Sequence, residues 1–260
     1  PKTTVYFHIR SIPKNNVLVQ KLKKIHLSKL EKFRPKKGKS ILGRKFTRFK
    51  RWTPELVSLF AHAAFDGATK YSGVVYHNRS KVLIDNFVNK MRAIYKFPPK
   101  TYSNPDLTLR VGYYNVELAT FFRKKLVELF KGILLLDREC QRQFLKAFFN
   151  DEGSIYFHKH SHKRRVKGTQ FSKSTLLLIQ KLLKNFSIDS YVDERFHEII
   201  ISRRENLIQF AKEINFAEGL LINGNRTNSI WKMHREKREI LNEAITSYLR
   251  NSRNQRFSVE

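Results

Sequence analysis

The chain reads as an α+β protein in which one αββαββα unit is used twice, preceded by a strongly basic arm. Two observations carry that reading. The first is a short pattern present in two copies. Leu59-Phe60-Ala61-His62-Ala63-Ala64-Phe65-Asp66-Gly67 is one; Leu145-Lys146-Ala147-Phe148-Phe149-Asn150-Asp151-Glu152-Gly153 is the other. Each is an apolar helical stretch with a small residue third and a carboxylate then glycine at its end. The second observation is that similar elements follow each copy, with about 86 residues from Asp66 to Glu152.

The first copy has a clean start. Thr53-Pro54-Glu55 supplies an N-cap and a proline at the first helical position, which is spared the loss of an N–H that would have no partner there. The spacing then predicts an extended segment over 73–77, helices over 81–95 and 116–130, and a strand over 108–113. In the second copy it predicts helices over 138–150, 174–186 and 203–214. Strands are expected near 155–159, 169–171, 190–193 and 198–201. Ser202 and Glu205 have capping-box spacing for the 203–214 helix, and a last helix is expected over 230–250. Val75–Tyr95 lies over Phe171–Phe186, and Arg110–Phe130 over Ile199–Phe216. On that alignment the first hairpin is about ten residues short, because Glu152 lies 19 before Phe171 and Asp66 nine before Val75. The divisions are an arm (1–52), a first repeat (53–136), a second repeat (137–235) and a C-terminal helix and tail (236–260).

The charge is extreme: 52 Lys and Arg against 22 Asp and Glu, a net +30 and a pI near 10.3. Such a balance points to phosphate-bearing partners and away from small neutral substrates. Residues 1–52 hold 17 basic residues and one acid, Glu31. Within them 5–9 has strand character and 17–33 helical spacing. The run Arg34, Lys36, Lys37, Lys39, Arg44, Lys45, Arg48, Lys50 and Arg51 contains no acid and includes Phe46 and Phe49. That arm is expected on phosphates. Cys140 stands alone, which excludes an internal disulfide and a Cys-rich zinc site and suits an intracellular, reducing compartment, cytoplasm or organelle. No apolar run approaches the ~20 residues that span a bilayer, so no membrane partner is expected.

Two motif helices packed side by side would bring Asp66 and Glu152 to one spot. Paired carboxylates there suit a divalent metal acting on a phosphodiester. In the second repeat, residues 154–188 contain no acid, while Lys159, Lys163, Arg164, Arg165, Lys167 and Lys173 are basic. Strand alternation places Ser154, Tyr156, His158 and His160 on a polar face meeting nucleic acid, with Ile155 and Phe157 opposite. His158, His160 and His162 have no cysteine or fourth ligand nearby and read as groove or phosphate contacts rather than a metal site. Asp151 is expected to face solvent.

The stretch from Phe144 to Ile155, with Ser172-Lys173-Ser174-Thr175-Leu176-Leu177 behind it, resembles the second motif of the LAGLIDADG homing endonucleases in their single-chain, two-repeat form. The resemblance spans roughly residues 53–235. It implies motif helices meeting at a pseudo-two-fold axis, with Ala61 and Ala147 at the contact. It also implies Mg²⁺ held by Asp66 and Glu152 as metal ligands and catalytic residues, and two sheets forming a saddle in the major groove of duplex DNA. Lys70, Lys131 and Lys173 are the lysines it offers for assisting the metal centre. A monomer with internal pseudo-symmetry is expected. Two functions stay open. One is a Mg²⁺-dependent, site-specific DNA endonuclease, favoured by acids at equivalent positions. The other is a repurposed fold that holds structured RNA without cutting it, such as ribosomal RNA among ribosomal proteins or an intron being spliced, favoured by the short first hairpin and the basic arm.

Overall fold

The computed structural model describes residues 16–33, 46–96, 98–103, 108–158, 163–222, 231 and 233–254. The chain divides into two units, Pro1–Lys45 and Phe46–Glu260. The first contains helix α1 (Asn16–Phe33). The strand expected over 5–9, and Arg34, Lys36, Lys37, Lys39, Arg44 and Lys45, lie outside the described residues.

The second unit begins seven residues earlier than the sequence suggested. Phe46, Phe49 and Trp52 are not arm residues; they pack on the core. The Phe49 ring lies 5.4 Å from Phe60 and 5.3 Å from Phe121, and Trp52 lies 5.3 Å from Phe60. Burying three aromatic rings outweighs the basic character of their neighbours.

Helix α2 (Pro54–Phe65) starts where its cap dictates, with Thr53 Oγ1 accepting from the Leu56 N–H at 3.4 Å. It is buried on nearly all sides from Leu56 to Ala63, as its apolar composition requires. Strands β1 (Gly67–Lys70) and β2 (Gly73–Asn78), helix α3 (Lys81–Tyr95), strands β3 (Lys100–Ser103) and β4 (Leu109–Tyr113) and helix α4 (Val116–Gly132) complete the first repeat. A short 3₁₀ turn, Ile133–Leu135, leads into the second. There, helix α5 (Arg138–Asp151) is capped by Asp137, whose carboxylate accepts from Cys140 N–H at 2.9 Å. Strands β5 (Gly153–His158) and β6 (Lys163–Thr169), helix α6 (Lys173–Asn185), strands β7 (Tyr191–Asp193) and β8 (Glu198–Ile201) and helix α7 (Arg204–Glu213) follow. Helix α8 (Lys237–Asn254) closes the described chain.

The two antiparallel sheets have the same strand order, β1-β2-β4-β3 and β5-β6-β8-β7, so the duplication is real in three dimensions. Their equivalence is fixed residue by residue at the helix ends. The Asp66 carbonyl accepts from His77 N–H at 3.1 Å, and the Glu152 carbonyl from Thr169 N–H at 3.2 Å. His77 therefore corresponds to Thr169. Asp66 precedes its partner by 11 residues and Glu152 by 17, so the first hairpin is shorter by six residues, not ten. It is complete but tight, closing through Tyr71 and Ser72.

Other differences from expectation have local causes. Strand β6 lies at 163–169 rather than 169–171, and β1 and β3 lacked any apolar alternation to announce them. Ser202 does not cap α7. The position before that helix is Arg203, at φ 69° with no side-chain cap, and the Ser202 carbonyl instead accepts from Asn206 Nδ2 at 3.0 Å.

Helices α2 and α5 pack against each other along the unit's central seam. Ala61 and Ala147 are fully buried; small side chains of this kind permit close helix approach. Phe65 crosses the seam, its ring 5.1 Å from Phe148 and 5.5 Å from Phe144. Phe144 and Phe148 are fully buried there, and removing one such ring costs about 3–5 kcal/mol, so the seam anchors the unit.

Candidate metal centre and nucleic-acid interface

Each motif helix hands over to its first strand at a glycine, and the backbone leaves room for nothing else. A Cβ on Gly67 would lie 2.3 Å from the Ala63 carbonyl oxygen, and one on Gly153 would lie 2.1 Å from that of Phe149. Those carbonyls belong to the last helical turn, so neither can move without breaking the helix end. The tight corner holds the preceding carboxylate, Asp66 or Glu152, at the head of the seam.

The two carboxylates share one electrostatic environment. Burial, reinforced by the charges of Asp151 and then Glu152, pushes the Asp66 carboxyl up to about 8. Burial and Asp151 push Glu152 up to about 7. Asn78 opposes the shift at Asp66. Its Oδ1 accepts from Ser80 N–H at 2.8 Å, which fixes the amide so that Nδ2 donates to Asp66 Oδ2 at 2.6 Å. Lys237 also draws Asp66 down, while its Nζ donates to the Gly153 carbonyl at 2.7 Å. The family resemblance offers Lys70, Lys131 and Lys173 for this centre, whereas Lys237, which comes from the last helix, has no local signal in the sequence.

Two half-buried carboxylates short of positive charge form a hard-oxygen donor set that fits Mg²⁺. Among the described residues, no group of three or more His, Cys, Asp or Glu forms a closed cage.

Asp151 does not face solvent. Its side chain is 0% exposed, and two residues enclose it. His62 Nδ1 approaches its two oxygens at 2.8 and 3.0 Å, and Tyr76 Oη donates to Oδ1 at 2.8 Å. Burial and the facing carboxylate raise the Tyr76 hydroxyl well above its ordinary range, so it remains a donor. Residues from α2, β2 and α5 thus meet behind the acid pair.

On the second sheet, Ser154 is exposed and Tyr156 and His158 are half-buried, while Ile155 and Phe157 are buried on the helix side. Lys163 is exposed, and Arg165 stands opposite Tyr156 in the ladder. Arg164 is a correction: it points to the helix side and is 7% exposed. Its Nε donates to Ser247 Oγ at 2.6 Å, and its guanidinium lies 4.3 Å from the Tyr248 ring centre, so it clamps α8 rather than a phosphate. Lys167 pairs with Glu198 and Lys173 with Glu194, each at 2.6 Å. Arg48, Lys50 and Arg51 are exposed beside the aromatic strap. His160, with His162, lies outside the described residues.

The duplicated sheets, the buried helix seam and the acid at each corner define a class. Residues 139–215 match the family profile described as a LAGLIDADG-like domain, and the chain carries the LAGLIDADG fold in its two-repeat, single-chain form. Among solved structures it is similar to full-length DUF199/WhiA from Thermatoga maritima, at a TM-score of 0.50 and 15% identity over 77% of this chain and 63% of that one. It is also similar to variants of the homing endonuclease I-DmoI, at a TM-score of 0.48 and 18% identity over 64% of this chain and 91% of that one. A further similar structure is I-DmoI in complex with DNA and Mn, at a TM-score of 0.47 and 18% identity over 62% of this chain and 96% of that one. No curated protein matches the chain in sequence.

Proposed function

We propose that the protein is a Mg²⁺-dependent endonuclease that seats duplex DNA across its two sheets and hydrolyses the backbone at Asp66 and Glu152. The observation that carries this reading is the pair of carboxylates at equivalent corners of two repeats, pushed up to about 8 and about 7 where ordinary acids would be fully ionised. A site that raises its own acids is one that a dication relieves. When bound, the ion supplies charge stabilisation for the phosphoryl oxygens and a nucleophilic water near neutral pH. The chain's own residues hold and orient. Asp66 and Glu152 provide the ligands, and Asn78 fixes Asp66 Oδ2. The buried Asp151 keeps the local field negative. Tyr156, His158, Lys163 and Arg165 of the second sheet supply groove and phosphate contacts.

The test is cleavage of a randomised duplex library with Mg²⁺, followed by sequencing of the ends. Asp66→Asn and Glu152→Gln should each abolish cleavage and leave binding near wild type. Cleavage retained by either variant overturns the metal assignment.

A second reading, retention of structured RNA without cleavage, is favoured by one observation. The β1–β2 hairpin pairs only four residues on its outer strand, leaving the first sheet less surface for base edges. Sequencing the nucleic acid crosslinked to the protein in its own cells separates the two: a discrete duplex site supports the endonuclease, and recovery of RNA supports the second.

A further inference from the structure

Away from the acid pair, a polar cavity of about 250 Å³ opens beside the seam, walled by α2, α3, α5, residues 214–218 and the first turn of α8. Three cations reach it from three different helices: Lys90 of α3, Lys146 of α5 and Arg238 of α8. Lys90 Nζ donates to the buried Ser58 hydroxyl at 2.6 Å, a neutral partner. Among the described residues neither Lys90 nor Lys146 has a carboxylate within ion-pair distance. Arg238 spends Nε on the Phe216 carbonyl, and its Nη1 lies 3.6 Å from Glu218, a largely exposed carboxylate at the cavity wall. Asn150 is also on the wall, its Oδ1 occupied by Ala217 N–H at 2.7 Å, which leaves its Nδ2 donor side uncommitted.

The physical point is the shortage of close anions. A half-buried ammonium without a carboxylate at ion-pair distance is costly: burial lowers the Lys90 pKa, and the charges of Glu55 and Asp151 offset that only in part. Two or three cations with neutral donors between them suit an oxygen-rich anion of charge −1 to −2. The volume sits below the ~300–1,000 Å³ of pockets for drug-sized ligands, so the occupant is small.

We propose that this cavity is a binding site for a phosphate group, held by Lys90, Lys146 and Arg238 with Ser58 and Asn150 as neutral donors. The phosphate comes either from a small free ester or from the backbone of a bound nucleic acid. The proposal stands apart from the endonuclease reading, because none of these residues touches the acid pair. It does place a new charge near His62, which shares the cavity wall and holds Asp151 from the other side.

The test is a titration of the full chain with inorganic phosphate against sodium chloride at matched ionic strength, followed by thermal melting. Wild type should show a saturable rise in Tm. Lys90→Gln and Lys146→Gln should each weaken the apparent affinity about 10-fold or more, the cost of losing one charged hydrogen bond. The melting curve without phosphate reports whether each variant folds, and the half-exposed Lys146 serves if Lys90→Gln does not. No rise beyond that of chloride, or a rise unchanged in both variants, overturns the proposal. The source follows from adding a duplex: displacement of phosphate by the duplex, with a shallower salt slope of duplex binding in the variants, assigns the group to the nucleic-acid backbone. Simultaneous binding assigns it to a free ester.

Discussion

His62 and Asp151 stand 89 positions apart in the chain and 2.8 Å apart in space, with side chains 6% and 0% exposed. The contact joins the first motif helix to the second, immediately behind the acid pair. Asp151→Ala leaves the imidazole and the Tyr76 hydroxyl facing an empty buried site and should cost about 3–5 kcal/mol in urea unfolding. Asp151→Asn, which retains hydrogen-bonding capacity, should cost less. It should also lower the pKa of both Asp66 and Glu152, because the Asp151 charge raises each of them. Carboxylate titration by NMR checks that second effect.

The corner glycines give a steric prediction. Gly153→Ala drives a methyl group into the Phe149 carbonyl, and Gly67→Ala does the same at Ala63. Each should destabilise by at least about 2 kcal/mol and displace the neighbouring carboxylate. Denaturant unfolding measures the first effect, and loss of Mg²⁺ binding by calorimetry the second.

The pH dependence of stability without metal has a definite sign. Asp66 and Glu152 have ordinary values of 3.8 and 4.5 and folded values of about 8 and about 7. The folded state therefore holds their protons more tightly than the unfolded chain does. Their contribution to stability is complete below about pH 4 and is lost as pH rises through 7 and 8. The melting temperature of wild type relative to the double variant Asp66→Asn/Glu152→Gln should fall between pH 5 and pH 9. Saturating Mg²⁺ should remove that fall.

Arg164 and Arg165 are neighbours in sequence with opposite assignments. Arg164→Ala should destabilise the fold by about 1–3 kcal/mol, through loss of the Ser247 bond and the Tyr248 contact, with the salt slope of nucleic-acid binding unchanged. Arg165→Ala should leave Tm near wild type and reduce that slope by about one. Paired melting and salt titrations on both variants decide this.

The motif helices, their caps and the acid-glycine corners were readable because each is a local feature: apolar period, Thr53-Pro54, a carboxylate before glycine. The environment of those acids was not. Asp151 is buried by His62 and Tyr76, 89 and 75 positions away, and Lys237 reaches the Gly153 carbonyl from 84 away. Strand β6 escaped for a different reason. In Lys163–Thr169 one inward position is an arginine, so charge hid the alternation that identifies a half-buried strand. Phe46, Phe49 and Trp52 were absorbed into the arm because their neighbours are basic, although aromatic side chains in a charged run were the one hint of the strap.

The shorter β1–β2 hairpin gives the molecule a polarity. Its two halves share a strand order, yet one turns back after four residues and the other after six. Turned end for end about its own pseudo-axis, the protein does not superpose on itself. The duplex proposed to lie across both sheets would therefore be gripped in one direction, and a sequence and its reversed copy would be different objects to this chain.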